Sequence, residues 1–381
     1  MRLGILTQPL HTNYGGLIQA WALQHVLMEM GHDTWIIQRE FKRLKDFPVC
    51  KRLMTSSKRF FLGLLNIDRN LRPSSTQLEV IRKNTSAFVE NRIHPKTPYI
   101  YTDIALKRYI QNSSFEGYVV GSDQVWRPKY SPNIDNYFLD FVENDIKIKR
   151  ISYAASLGVD VWEFDERDTK TVQRLAPKFN LITVREVSAI ELLREKAGVD
   201  AKIVVDPTLL IKKELYEDLV KNPTCPLRPS SGNLFCYVLD SNPIVNQVIE
   251  NCTKDTLFRP FYCNSNRKLR VKGDEKYLDE CVMPPVEQWI KSFIDAKMVI
   301  TDSFHGTVFS IIFNKPFWVV VNKERGSSRF LSLLKIFDLE DRMISLDSTP
   351  DWNTPINWDK VNNRRELFAN ESYSLLSESL I

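Results

Sequence analysis

The segment PPVEQWIKSFIDAKMVITDSFHGTVFSIIFNKPFWVVV, Pro284 to Val321, decides the fold. Two prolines pre-set the backbone for a helix start. Val286, Trp289, Ile290, Phe293 and Ile294 then recur at helical spacing and give the helix one apolar face. Met298 to Thr301 is an apolar run of strand length, and a second run begins at Phe317. A tight turn and a helix from about Gly306 to Phe313 are expected between them. Strands joined by a helical crossover pair in parallel, so both faces of the sheet must be covered.

The same alternation opens the chain. RLGILTQ reads as a strand, PLHTNYGG as a loop, Leu17 to about Met30 as a helix with Ile18, Trp21, Ala22, Val26 and Met30 on its apolar side, and DTWIIQ as the next strand. Gly31 stops the helix. Short β-like runs return at GYVVGS, RISYAAS, LITVRE and AKIVVD, with SAIELLREKAG as a helix before the last. A polar stretch rich in Pro, Ser and Asn, Lys221 to Asn233, divides this series from a second one that starts at LFCYVLD. The expected organisation is α/β, with two Rossmann-like domains facing a cleft: residues 1–220, residues 234–350, and a C-terminal segment 351–381 that crosses back to the first domain. No internal sequence repeat is visible.

With 381 residues, 43% of them hydrophobic and 26% charged, the chain can build two cores and is neither disordered nor fibrous. The six cysteines form no C-x-x-C pair and no zinc-finger spacing, so no metal site is signalled and reduced thiols in a cytosol fit best. Polar residues interrupt the apolar N-terminus well short of a signal peptide or a membrane span.

The net charge of +5 is unevenly spread. Between 41 and 72 nine basic residues face two acidic ones, a local +7, which leaves the remainder at −2. Phe60, Phe61, Leu62, Leu64 and Leu65 lie in this basic excursion. It therefore reads either as a solvated helical excursion or as a peripheral contact with an anionic membrane surface. Its aromatics are not interleaved as stacking platforms, and nucleic acid is not an expected partner.

In open parallel sheets ligands bind beyond the carboxyl ends of the strands, so the residues just after each strand carry the chemistry. At Asp302-Ser303-Phe304-His305-Gly306-Thr307 a strand hands over to a helix whose free amides attract phosphate or carboxylate, and His305 is placed to move a proton. Ser303 reads equally as a simple helix cap. Asn13-Tyr14-Gly15-Gly16 is a second such turn, without the full dinucleotide fingerprint. Gly121-Ser122-Asp123, followed by Trp126, either frames a sugar or is a capped turn with a core tryptophan. Arg185 follows LITV as a cleft cation or a salt-bridge partner of Glu186 or Glu191. Lys323, Arg325 and Arg329 follow FWVVV as a cationic wall or as a solvated loop.

Taken together, NYGGLIQAWAL, GSDQVW, SYAASLG, VREVSAIELL with VVDPTLL, and ITDSFHGTVFSIIFNKPF resemble, in order and spacing, the polysaccharide pyruvyl transferase family over roughly Arg2 to Val321. The resemblance implies a GT-B-like architecture. It also implies transfer of the pyruvyl group of phosphoenolpyruvate, a co-substrate and not a bound cofactor, onto two hydroxyls of a sugar in a bacterial glycan or its lipid-linked precursor. By that resemblance His305 transfers the proton, Arg185 and Lys323 are the cations, and Ser303, Gly306 and Thr307 contact phosphate. Asn13, Tyr14, Gly15, Ser122, Asp123 and Trp126 fall on the acceptor side of the cleft. A cytoplasmic enzyme at the inner face of the membrane is expected. Many members carry arginine two residues before the motif histidine, where this chain has Ser303, and Arg325 or Arg329 is the expected substitute. The competing readings are a GT-B glycosyltransferase and a non-catalytic glycan-binding protein. Against the first, the acidic pair with seven-residue spacing typical of many retaining members is missing, since Gln288 stands where the second acid would be.

Overall fold

The computed structural model describes residues 1–42, 73–142, 144–240, 242–269, 274–321, 327–344 and 350–381. Nearly all of the basic excursion 41–72, together with Lys323 and Arg325, lies outside the described residues.

Among the described residues, eleven strands form two parallel sheets. In the first, β1 (Arg2–Leu6), β2 (Asp33–Ile36), β3 (Gly117–Asp123), β4 (Lys149–Ala155), β5 (Leu181–Val184) and β6 (Lys202–Ile203) run in the order β2-β1-β3-β4-β5-β6. In the second, β7 (Leu234–Tyr237), β8 (Pro260–Phe261), β9 (Met298–Thr301), β10 (Phe317–Val320) and β11 (Met343–Ile344) run β11-β10-β9-β7-β8. Read from the other edge, the second order is second-first-third-fourth-fifth, the order of the first sheet. Each sheet therefore has a topological switch point between its first and third strands, where the chain leaves in opposite directions and opens a crevice.

The helices that cover the first sheet and link it to the second are α1 (Tyr14–Glu29), α2 (Ser75–Ile81), α3 (Lys83–Arg92), α4 (Asp103–Gln111), α5 (Glu166–Leu175), α6 (Val187–Ala197) and α7 (Lys213–Lys221). Those that follow are α8 (Pro243–Thr256), α9 (Val286–Asp295), α10 (Phe304–Ile312), α11 (Ser328–Phe337) and α12 (Trp358–Ser379). The expected apolar stripe of α9 is its inner face: Val286, Trp289, Ile290 and Phe293 are fully buried. The helix α1 starts three residues earlier than its periodicity indicates and is buried on nearly every side. Its interior glutamines are satisfied locally. Gln19 donates to Thr7 Oγ1 (2.8 Å) and accepts from the Ser122 amide (3.0 Å), which pins the loop after β1 to the end of β3.

The two halves share one hydrophobic core rather than meeting through water. Tyr14 of α1 stacks on Trp289 of α9 (5.8 Å between rings, 18° apart) and donates its hydroxyl to the Pro284 carbonyl at 2.9 Å. Tyr216 packs edge-on against Phe309 at 4.9 Å. Aromatic contacts of this kind add about 0.5–1.5 kcal/mol each beyond area burial. From the last helix, Ser372 Oγ accepts the Val205 amide at 3.1 Å, a contact between α12 and the chain just after β6.

Candidate active site

Both switch points face the same cleft, of about 400 Å³. The first half contributes the loop after β1 (Thr12, Asn13, Tyr14), the end of β3 (Asp123, Gln124) and Arg185 after β5. The second half contributes Tyr237 at the end of β7 and Leu239 just after it, Ser303, Phe304 and His305 after β9, and Arg329 on α11. The structure thus brings together Asn13, Tyr14, Asp123, Arg185, Ser303, His305 and Arg329, from five separate stretches of the sequence.

A buried ion cluster stands at its centre. Arg185, buried, donates from Nη2 to Asp123 Oδ1 (2.8 Å) and from Nη1 to Asp206 Oδ2 (3.2 Å), and its guanidinium lies 4.3 Å above the Phe304 ring. Glu186 is 3.9 Å away and accepts the amides of Leu157 and Gly158. Asp123 sits at a positive φ of 70°, a backbone state few residues with a side chain adopt. The imidazole of His305 places Nε2 3.5 Å from Asp206 Oδ2. Asp206 is fixed in turn by Thr208, whose amide and hydroxyl donate to Oδ1 at 3.1 and 2.7 Å. Ser122 Oγ is within reach of both the Ala154 carbonyl (2.9 Å) and Asp206 Oδ2 (3.2 Å).

Burial alone would raise the Asp206 carboxyl, but His305 and Arg185 hold it well below the usual carboxylate range. Asp123 is lowered in the same way, burial being outweighed by Arg185 and His305. Glu186 goes the other way: burial pushes it up more than Arg185 pulls it down. Two aspartates with lowered carboxyls thus face one guanidinium, with the His305 ring beside Asp206. The arrangement is a buried histidine 3.5 Å from a buried carboxylate, placed to exchange a proton with a ligand in the cleft beside fixed cations.

His305 rests on the floor of the cleft. A Cβ on Gly15 would lie 2.1 Å from His305 Nδ1, so the glycine at the start of α1 is required by close approach of the ring. The same helix start has no side-chain cap: Asn13 is exposed, and only its backbone carbonyl bonds to the first turn, accepting the Leu17 amide at 2.9 Å.

Other expected residues are placed differently. Ser303 caps α10, its Oγ accepting the Gly306 amide at 3.3 Å, and Thr307 is fully buried and donates to the Ser303 carbonyl at 3.2 Å. Those groups are engaged within the turn, and only Ser303 of the three lines the cleft. The space that Gly306 leaves open is filled by Thr301 and Tyr237, not by the cleft. Trp126 is not an aromatic platform for a sugar: it is fully buried, stacked on Phe138 at 5.0 Å and donating to the Tyr137 carbonyl at 2.9 Å. Asp206 has no role in the sequence reading. Its signal is its place in VVDPTLL, a carboxylate just beyond a strand, as Asp302 is, while Asp123 ends β3.

The model of the polysaccharide pyruvyl transferase family matches residues 13–324. A comparison with curated proteins returns no match. Among solved structures, the UDP-GlcNAc 2-epimerase of Neisseria meningitidis bound to UDP-GlcNAc superposes with a TM-score of 0.50 at 10% identity, covering 100% of this chain and 99% of that one. The UDP-N-acetylglucosamine 2-epimerase of Rickettsia bellii gives a TM-score of 0.48 at 10% identity, covering 100% and 95%. At such identities the likeness is one of fold, and the fold is the GT-B arrangement of two Rossmann-like sheets. The match spans the start of α1, Asp123, Arg185, Asp206 and His305, every element of the buried cluster, and this chain belongs to the polysaccharide pyruvyl transferase family.

Proposed function

We propose that the protein transfers the pyruvyl group of phosphoenolpyruvate onto two hydroxyls of one sugar in a bacterial surface polysaccharide or its lipid-linked precursor, on the cytoplasmic side of the membrane. The observation that carries the reading is the His305–Asp206 pair, held 3.5 Å apart at a cleft lined by Arg185 and Arg329, in a chain of this family.

The reaction needs one proton delivered to C3 of the enol, which becomes a methyl group. One sugar oxygen adds to C2, the C2–O bond to phosphate breaks, and the second sugar oxygen adds to C2. Of the two protons lost by the hydroxyls, one balances that on C3 and the other leaves on phosphate. His305 is the acid for C3, and Asp206 is the carboxylate that positions it in this reading. Arg185 already matches Asp123 and Asp206, so its part is to fix those carboxylates and present a rigid positive face. Arg329 meets the donor's anionic groups, with Lys323 and Arg325 as further cations in this reading. The first turn of α1, without a side-chain cap, adds amide dipoles on the opposite wall. Ser303 takes the place of the family's arginine without supplying charge.

The test is to incubate the protein with phosphoenolpyruvate and a panel of saccharides, following free phosphate and acceptor mass. Acceptor-dependent phosphate with a mass gain of one pyruvate less one water supports the reading. Turnover of a nucleotide sugar with no acceptor-dependent phosphate would reverse it in favour of glycosyl transfer.

A further inference from the structure

Trp126 is a core residue, but the turn that carries it brings another aromatic side chain to the cleft four residues later. Tyr130 lines the cleft and is 43% exposed. Turn bonds fold this segment back on itself: the Arg127 amide donates to the Gln124 carbonyl at 3.2 Å, the Tyr130 amide to the Arg127 carbonyl at 2.9 Å, and Ser131 Oγ to the Val125 carbonyl at 2.7 Å. The Arg127 guanidinium consequently lies over the Tyr130 ring, 4.6 Å from its centre. That guanidinium is itself fixed. It is buried, and it donates from Nε and Nη2 to the two Glu163 oxygens at 2.7 and 3.2 Å and from Nη1 to Gln124 Oε1 at 3.3 Å. One face of the Tyr130 ring thus rests on a rigid cation, which orients the ring before any ligand arrives.

The cleft residues nearest to Tyr130 in the fold are uncharged. Asn13 belongs to the loop after β1 and Gln124 follows β3, the two strands that flank the switch point of the first sheet. Gln8 ties the two loops together, its Nε2 donating to the Gln124 carbonyl at 2.8 Å and to Ser131 Oγ at 3.2 Å. Gln124 Nε2 and the Asn13 side chain make no hydrogen bond among the described residues, so both bring donors to the cleft. An aromatic face beside neutral amides is the lining that meets the apolar face and the hydroxyls of a pyranose ring. We propose that Tyr130 is the platform on which the acceptor sugar stacks, using the ring face turned away from Arg127, with Gln124 and Asn13 as hydroxyl partners. The inference rests on the reading that the acceptor is a saccharide. It assigns acceptor affinity to the first half of the molecule, opposite the donor contact at Arg329 in the second.

The experiment measures binding of the full-length protein, without phosphoenolpyruvate, to a panel of neutral hexose and N-acetylhexosamine mono- and oligosaccharides, and separately to phosphoenolpyruvate. At least one saccharide is expected to bind wild type. Tyr130→Phe keeps the ring and should stay within about twofold of wild type, while Tyr130→Leu and Tyr130→Ala, which lack it, should bind that saccharide about tenfold more weakly. Affinity for phosphoenolpyruvate should be the same in all four proteins. The position is exposed, and an unchanged melting temperature identifies a folded variant. No saccharide binding by wild type, wild-type saccharide affinity in the folded Leu or Ala variant, or an equal loss of phosphoenolpyruvate affinity overturns the proposal. Saccharide binding that depends on the Tyr130 ring, without acceptor-dependent phosphate release, keeps the platform and removes the pyruvyl reading. Acceptor-dependent phosphate release with the same acceptor KM in Tyr130→Leu keeps the pyruvyl reading and removes the platform.

Discussion

Nδ1 of His305 sits where a Cβ on Gly15 would lie 2.1 Å away, so the first turn of α1 in one half of the molecule is the seat of the histidine from the other. Alanine is the better helix former by about 1 kcal/mol, but here the added carbon displaces the ring. Gly15→Ala is therefore expected to lower kcat about a hundredfold, since a misplacement of about 1 Å at a reacting group costs that much. The change in melting temperature should be small. Phosphate-release kinetics and a thermal melt check the two together.

The carboxylate of Asp206 is held low by His305 and Arg185 against burial, and its stability contribution follows from that sign. A depressed carboxyl stabilises the fold above the ordinary aspartate value of about 4, and the contribution disappears as pH falls through the folded value. Asp206→Asn keeps an acceptor for Thr208 and removes the charge. The variant should lose less stability than wild type on acidification below about pH 4, read as melting temperature against pH. Its kcat should fall by about ten- to a hundredfold with the KM for phosphoenolpyruvate little changed, because orientation of the acid is lost and donor contacts are not.

Arg185 and Arg329 both line the cleft but should respond oppositely to loss of charge. Arg185 is locked to Asp123 and Asp206, and Arg185→Met strands two buried carboxylates at a cost of about 3–5 kcal/mol, measurable by urea unfolding. Arg329→Met should instead weaken phosphoenolpyruvate binding by about tenfold or more with a smaller loss of stability, read by calorimetric titration.

Trp126, placed by the sequence between a sugar platform and a core residue, fills the core against Phe138. Trp126→Leu is expected to destabilise the protein by about 2–4 kcal/mol through lost packing and an unsatisfied Tyr137 carbonyl. The KM for the saccharide acceptor should not change in whatever fraction remains folded.

The strands and the crossover helices of the second half were legible from period alone, because Val286, Trp289, Ile290 and Phe293 must be buried together and β9 and β10 are short apolar runs. The shared strand order of the two sheets was not legible, since order is set by contacts between distant segments and the halves carry no repeated sequence. At the site, His305, Asp123 and Arg185 announced themselves by following strands. Whether Ser303 caps or binds was open because a serine hydroxyl serves either role, and its bond to the Gly306 amide decides for the cap. Asp206 is not legible in the sequence, because what gives it meaning, the imidazole of His305, comes from the other half of the chain.

The central claim, that His305 protonates C3 of phosphoenolpyruvate during transfer to a sugar, is tested most directly by running the reaction in D2O with an acceptor saccharide and analysing the product by NMR and mass spectrometry. The expected product is a pyruvate ketal on one sugar with a single deuterium in its methyl group and one equivalent of free phosphate, formed at least a hundredfold more slowly by His305→Gln with donor binding retained. An unlabelled methyl group, product formation by His305→Gln at the wild-type rate, or no ketal from any saccharide that the protein binds would contradict it.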